Sequence, residues 1–237
     1  YHERWNDTLQ HYEVLAVELQ FCAPLVNPQT GRASRIWELG GKIDALVRDL
    51  RDGRVLLVEH KTSSEDISDG SEYWRRLRMD GQVSIYYEGA RACGHDVRGC
   101  IYDVLKKPAL KPLEATPEED RKFTKAGALY ANQRAADETP AEYRHRIVAA
   151  LADGNKYFRR GEVIRLEAEM SEAMWDVWQV AQQIHEADSN GRYPRNPDAC
   201  GSFGRACPFL DLCTGLAYAD DTSRFRRQAN VHPELSV

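Results

Sequence analysis

The chain has 237 residues, 42% of them hydrophobic and 29% charged, and a formal net charge of −5. This is an ordinary globular composition, with enough apolar material for one large domain or a domain with a helical attachment. No apolar run nears the roughly 20 residues that span a bilayer, which excludes a helical membrane protein.

No signal-peptide pattern opens the chain, so a cytoplasmic setting is expected. The acidic balance does not advertise a nucleic-acid binder, but local basic clusters decide that question. They are Arg75, Arg76 and Arg78; Lys106 and Lys107; Arg121 and Lys122; and Arg159 and Arg160. Taken singly, each reads as a solvated face. The chain opens at Tyr1 rather than Met, inside what reads as ordered protein, so a fragment or processed chain is expected.

In chain order, "VLAVELQF" (14–21) alternates as a strand, and "NPQTGRAS" (27–34) is turn chemistry. "RIWELGGKIDALVRDL" (35–50) follows as a long strand interrupted by Gly40 and Gly41. "RDG" (51–53) reads as a tight hairpin turn, with "RVLLVEHK" (54–61) as the partner strand. A polar loop leads to a helical pattern from Glu72 to Ala92, which Gly94 ends. "VRGCIYDVL" (97–105) is another strand, giving the order β-β-β-α-β.

Residues 108–138 are polar and proline-punctuated, and predict a loop with a surface helix. At "TPAE" (139–142) Thr139 caps a helix, Pro140 fits its first turn and Glu142 completes a capping box. "EVIRLEAE" (162–169) predicts a strand. "SEAMWDVWQVAQQIHEA" (171–187) predicts an amphipathic helix with Met174, Val177, Trp178 and Ala181 on its inner face. No internal repeat or low-complexity segment occurs.

Hairpin partners lie side by side, so Asp44 and Glu59 are expected to meet at one end of the sheet. Two carboxylates that close stay ionised only around a cation. Few hard oxygen ligands suit Mg²⁺ or Mn²⁺, which keep waters that a substrate phosphate can replace. Strand alternation sets Glu59 and Lys61 on one face and turns His60 away, leaving the His60 carbonyl as a further ligand. Lys61 then stands where it can position a water and offset phosphate charge. Without that company, a Glu-x-Lys on a strand is a surface salt bridge.

"GGKIDALV", "VLLVEHKTSS" and "QVSIYY", in that order, resemble the PD-(D/E)XK nuclease superfamily. More narrowly they resemble its RecB-type branch, which includes phage exonucleases, the AddAB and RecBCD nuclease domains and CRISPR-associated RecB-like exonucleases. There a Gly-x-x-Asp strand, here Gly41 to Asp44, precedes Glu/Asp-x-Lys, here Glu59 to Lys61. A helix with Gln-x-x-x-Tyr, here Gln82 to Tyr86, follows. The resemblance covers roughly residues 14–108 and implies a restriction-endonuclease-like α/β core, with a mixed sheet between helices. It implies catalytic roles for Asp44, Glu59, Lys61, Gln82 and Tyr86, and metal ligation by Asp44, Glu59 and His60.

The core is expected over 1–108, and a helical, cysteine-containing extension over 109–237. "EYWRRLR" (72–78) precedes Gln82, so Arg75, Arg76 and Arg78, with Tyr73 and Trp74, are expected along a phosphate backbone. The branch also carries a His or Glu ligand on an upstream helix. Here His2, Glu3 and His11 fall in a segment without clear pattern and Glu18 sits on a strand, so that helix is expected before Tyr1.

Three of the six cysteines, Cys200, Cys207 and Cys213, fall within "NPDACGSFGRACPFLDLC". In a cytosolic chain this favours metal ligation over disulfides. The Cys-Pro-Phe ending resembles the [4Fe–4S] group of RecB-type nucleases, although Cys200 to Cys207 is longer than the commoner Cys-x-x-Cys. The fourth ligand stays open among Cys22, Cys93, Cys100 and upstream sequence. Expected partners are DNA and other recombination or phage proteins, with no membrane. The leading expectation is a metal-dependent DNA exonuclease in recombination, repair or phage DNA processing. An endonuclease of the same fold and a DNA-binding subunit with a decayed site are the alternatives.

Overall fold

The structure is a computed structural model that describes residues 1–202 and 204–235. Its chain divides into two compact units. One holds Tyr1–Leu19 and Ile43–Arg165, the other Gln20–Lys42 and Leu166–Val237.

The first unit opens with helix α1 (His2–Leu9) and is built on strands β1 (Tyr12–Val26), β2 (Ala33–Asp49), β3 (Val55–Ser63), β4 (Val97–Lys106) and β5 (Phe158–Val163). Residues 20–26 of β1 and 33–42 of β2 belong to the second unit. The strand order is β1-β2-β3-β4-β5. β2 and β3 pair antiparallel through Ala45↔Val58, β3 and β4 pair parallel, and β4 and β5 pair antiparallel. The sheet is therefore mixed, as expected. A parallel pair needs a long crossover, which α2 (Glu72–Arg76) and α3 (Gly81–Ala92) supply. The unit extends past residue 108, because β5 pairs with β4.

Side-chain alternation gives the sheet two faces. Leu57, Cys100 and Tyr102 are buried on the face toward Val83 and Tyr87 of α3. On the other face Val47, Leu56 and Ile101 form an apolar cluster that Tyr12 and Val58 complete. Gly161 pairs with Tyr102, and a Cβ there would stand 2.6 Å from the Trp74 ring, so only glycine leaves room for it. Trp74 also donates its indole N–H to the Ile67 carbonyl at 2.8 Å. Its ring packs against Gly161 of β5 and is half-buried.

The β2–β3 turn forms as predicted. Gly53 at φ +78 lets its amide reach the Asp49 carbonyl at 2.7 Å. Asp49 itself is 1% exposed and accepts from the Arg51 guanidinium at 2.6 and 2.9 Å. Those bonds hold its carboxyl at about 2, below the ordinary 3.8. A lowered carboxylate stabilises above its unfolded pKa and loses that stabilisation as pH falls from about 4 to about 2. Asp49→Asn is expected to cost about 1–2 kcal/mol at neutral pH, the solvated end of Arg51 limiting the value. Urea melts across the acid range check this. A difference that does not shrink toward the acid end would assign the cost to packing.

Three predicted elements differ. The helix over 72–92 is broken: α2 ends at Arg76, a 3-10 turn covers Leu77–Met79, and Asp80 restarts the chain as the cap of α3. The expected strand at 162–169 begins earlier, where β4 offers its edge to 158–163. Past it, Glu169 accepts from the Leu166 amide at 2.9 Å and α6 (Glu167–Asn190) begins. The surface helix in 108–138 is only a 3-10 turn at Glu118–Asp120. The capping box at Thr139 and Glu142 starts α4 (Pro140–Leu151) as read, and α5 (Gly154–Tyr157) follows it.

In the second unit α6 turns Met170, Met174, Val177, Trp178 and Ala181 inward, as expected of its apolar stripe. A short hairpin of β6 (Gly201–Ser202) and β7 (Arg205–Ala206) precedes α7 (Leu210–Thr214). No helix of the described residues is long and apolar enough to cross a membrane.

Candidate active site

The β2–β3 ladder, carried one residue past Ala45↔Val58, sets Asp44 opposite Glu59. Asp44 accepts the His60 amide at 2.8 Å, which locks the two strand ends together. Glu59 is 3% exposed although its strand is leaving the core. One of its oxygens meets the Lys61 ammonium at 2.5 Å. The other, Oε2, is buried with no hydrogen-bond partner among the described residues.

Lys61 also donates to Gln82 Oε1 at 2.9 Å, and Gln82 Nε2 donates to the Tyr86 hydroxyl at 2.8 Å. One helical turn separates Gln82 from Tyr86, so both look at the strand from one face of α3. Of the predicted group, Glu59, Lys61, Gln82 and Tyr86 are thus joined in one chain of bonds, and Asp44 lies opposite Glu59 on the His60 amide.

Burial pushes the Glu59 carboxyl up, the Lys61 ammonium pulls it back, and the Asp44 and Asp80 charges add to the rise. Burial alone would lower Lys61, but its bond to Glu59 wins and holds the ammonium charged. An orphaned carboxylate oxygen in a buried site is costly unless something positive takes it. Two carboxylates and the His60 carbonyl fit a small hard cation that keeps water ligands. No group of three or more His, Cys, Asp or Glu side chains able to hold a metal occurs among the described residues.

Sequence reading missed Asp80 and Arg165, which set this geometry, and Asp103 on the opposite face. Asp80 caps α3 by accepting the Gln82 amide at 2.8 Å, and it accepts the Tyr102 hydroxyl at 3.2 Å. An Asp just before Gly-Gln was a legible cap signal. Arg165 is 9% exposed and donates to the carbonyls of Leu77 at 2.7 Å and Asp80 at 2.9 Å, and to Ser84 Oγ at 3.2 Å. Nothing local marks it.

On the opposite face Asp103 pairs with His60 across β3 and β4. It meets His60 Nδ1 at 3.3 Å and Arg160 at 2.9 Å, and accepts from the Tyr1 hydroxyl. Burial would raise the Asp103 carboxyl, but the bonds from His60 and Arg160 outweigh it and lower it. A charge inside the apolar run "CIYDVL" was the available signal.

Helix α1 covers His2–Leu9, and the side chain of Glu3 lies outside the described residues. Trp5 of α1 lies 4.3 Å from the Arg160 guanidinium, and Thr8 accepts from Arg160 at 3.3 Å. Arg159 and Arg160, which read as a solvated face, are instead tied to Asp69 at 2.8 Å and to Asp103.

The three arginines before Gln82 do not share its helix, because the chain breaks at Asp80. Arg75 is paired with Glu72 at 2.5 Å, and Arg76 with Glu65. Arg78 is exposed and has no ion-pair partner among the described residues.

Cys200, Cys207 and Cys213 are free thiols. The Cys207 amide donates to the Cys200 carbonyl at 2.9 Å across the β6–β7 hairpin, and Cys213 sits on α7. They do not form a metal-holding group among the described residues. Cys22 is bonded to Glu38 at 3.3 Å, Cys93 is exposed and Cys100 is buried in β4.

A model of the PD-(D/E)XK nuclease superfamily matches residues 1–214. Among solved structures, one titled "Crystal structure of SSO0001" is similar at 14% identity and a TM-score of 0.34. The match covers 76% of this chain and 57% of that one, so the chain spans less than two thirds of that structure's length. No curated protein matches.

Proposed function

We propose that this chain, which belongs to the PD-(D/E)XK nuclease superfamily, is a metal-dependent deoxyribonuclease that removes nucleotides from DNA ends. Membership makes it a nuclease. The preference for ends, the RecB-type branch and a role in recombination, repair or phage DNA processing rest on the three ordered sequence motifs. The observation that carries the reading is Glu59, buried beside Asp44 and Lys61 with one oxygen unpartnered.

A divalent cation, Mg²⁺ or Mn²⁺, would supply Lewis acidity toward the scissile phosphate. Asp44, Glu59 and the His60 carbonyl would hold it. Lys61 stays charged between Glu59 and Gln82, and orients the attacking water while it offsets charge gathering on the phosphate. Gln82 keeps the ammonium from swinging away, and Tyr86 in turn fixes the Gln82 amide. A decayed site would not be expected to keep this complete set of bonds.

Digestion of linear and covalently closed circular DNA in Mg²⁺ tests the reading. Linear DNA is expected to be degraded from its ends while circles survive. Nicked or linearised circles would make the protein an endonuclease of the same fold. Survival of both in Mg²⁺ and in Mn²⁺ would leave a binding subunit.

A further inference from the structure

The connection between β4 and α4 carries a surface that the carboxylate site does not use. It leaves the sheet at Lys106, the partner of Ser63, two residues beyond Lys61, so it departs from the site's end of the sheet. A connection this long without regular structure is generally functional or disordered. This one is held in place.

Arg121 donates to the carbonyls of Thr116 at 3.0 Å and Ala135 at 3.1 Å. Gln133 accepts the Lys122 amide at 2.6 Å and donates to the Asp120 carbonyl at 2.9 Å. These bonds close the neck of a small hairpin. Within it the Tyr130 amide reaches the Lys122 carbonyl at 3.1 Å, and the Thr124 amide reaches Ala128 at 2.7 Å. A bridge joins Phe123 to Leu129, and Gly127 turns the tip at φ +80.

Two features of this hairpin need an explanation. Phe123 is 57% exposed and Tyr130 46% exposed, although a locked neck keeps both rings from reaching a core. Residues 121–136 also contain Arg121, Lys122, Lys125 and Arg134 with no Asp or Glu, in a chain whose net charge is −5. Lys122 and Lys125 are exposed and have no ion-pair partner among the described residues. Two solvated lysines alone would be an ordinary surface. Lysines interleaved with exposed rings on a rigid hairpin match a different chemistry, cations for phosphates and flat faces for bases.

We propose that the hairpin of residues 121–130 is a contact for single-stranded nucleic acid. Phe123 and Tyr130 stack on bases, and Lys122 and Lys125 take phosphates. The inference rests on the nuclease reading above and names where an unpaired strand would be held. A duplex hides its base faces in the stack, so the rings select the single strand. Stacking is tolerant of sequence, which suits an enzyme that must pass along any strand.

The test is binding of a fluorescent single-stranded oligodeoxynucleotide, and of its duplex, to the full chain in chelator. Phe123→Ala and Tyr130→Ala are each expected to weaken single-strand binding roughly 5- to 100-fold and to leave duplex binding little changed. Lys122→Ala with Lys125→Ala is expected to lower the slope of log affinity against log salt by about 1.4. Phe123→Trp should keep the affinity and Phe123→Leu should lose it, which separates a stacking ring from mere bulk. All four positions are exposed, so melting curves should match the parent protein. Unchanged single-strand affinity in the aromatic variants, or equal loss on duplex, overturns the proposal. If the parent protein digests DNA while those variants bind normally, the nuclease reading stands and the hairpin assignment falls. A parent protein that neither binds nor digests DNA removes both.

Discussion

Asp44→Ala, Glu59→Gln and Lys61→Ala are each expected to lower the single-turnover rate of DNA cleavage by about 10³-fold, with the fold retained. The expectation follows from their convergence: Asp44 on the His60 amide, Glu59 on Lys61, and Lys61 on Gln82. The three should separate by metal binding. The Asp44 and Glu59 variants lose Mn²⁺ affinity in a calorimetric titration, because they remove negative oxygens that would hold the ion. Lys61→Ala keeps or raises that affinity, since it removes a competing cation from Glu59. Glu59→Gln is chosen over Ala because it fills the same buried volume. Near-normal cleavage by Lys61→Ala at saturating Mg²⁺ would refute the role given to the lysine.

The second large effect is expected from a residue that touches no reacting group. Arg165→Met should cost about 3 kcal/mol, because it strands the Leu77 and Asp80 carbonyls and the Ser84 hydroxyl in a buried setting. Those carbonyls mark the break between α2 and α3, and the break sets the height of Gln82 above Lys61. Cleavage by the folded fraction should fall as well, and Arg165→Lys should recover part of the stability by reaching one of the carbonyls. Denaturant unfolding and cleavage under strongly folding conditions measure the two effects apart. A variant as stable as the parent would show that solvent or another side chain can serve those acceptors.

Sequence and structure agree most closely where a local rule had one outcome. The β2–β3 hairpin is such a place: Gly53 closes a four-residue loop between Asp49 and Arg54, and the resulting register brings Asp44 to Glu59. The alternation on β3 then leaves Lys61 on the face of Glu59 and His60 on the other. The Thr139 capping box is a second case, because its two hydrogen bonds lie within four residues. Disagreement begins where the partner is distant. The helical pattern from Glu72 to Ala92 reads as continuous, yet the helix breaks at Leu77–Asp80, where Asp80 caps the next helix and Arg165, far along the chain, takes the Leu77 and Asp80 carbonyls.

By itself, then, the sequence determined the local pieces of this protein. These are the strand periods, the turn, the caps and the order of Gly-x-x-Asp, Glu-x-Lys and Gln-x-x-x-Tyr, each set by interactions a few residues long. Only the tertiary structure decided how deeply Glu59 is buried and that its Oε2 lacks a partner. It also decided that Arg160 serves Asp103 rather than solvent, and that Cys200, Cys207 and Cys213 are not gathered into a metal-holding group among the described residues. Burial and pairing of charges depend on what packs against them from elsewhere in the chain. A basic pair or a cysteine spacing reads the same whether its partner is water or a buried carboxylate, so periodicity and spacing carry no record of that choice.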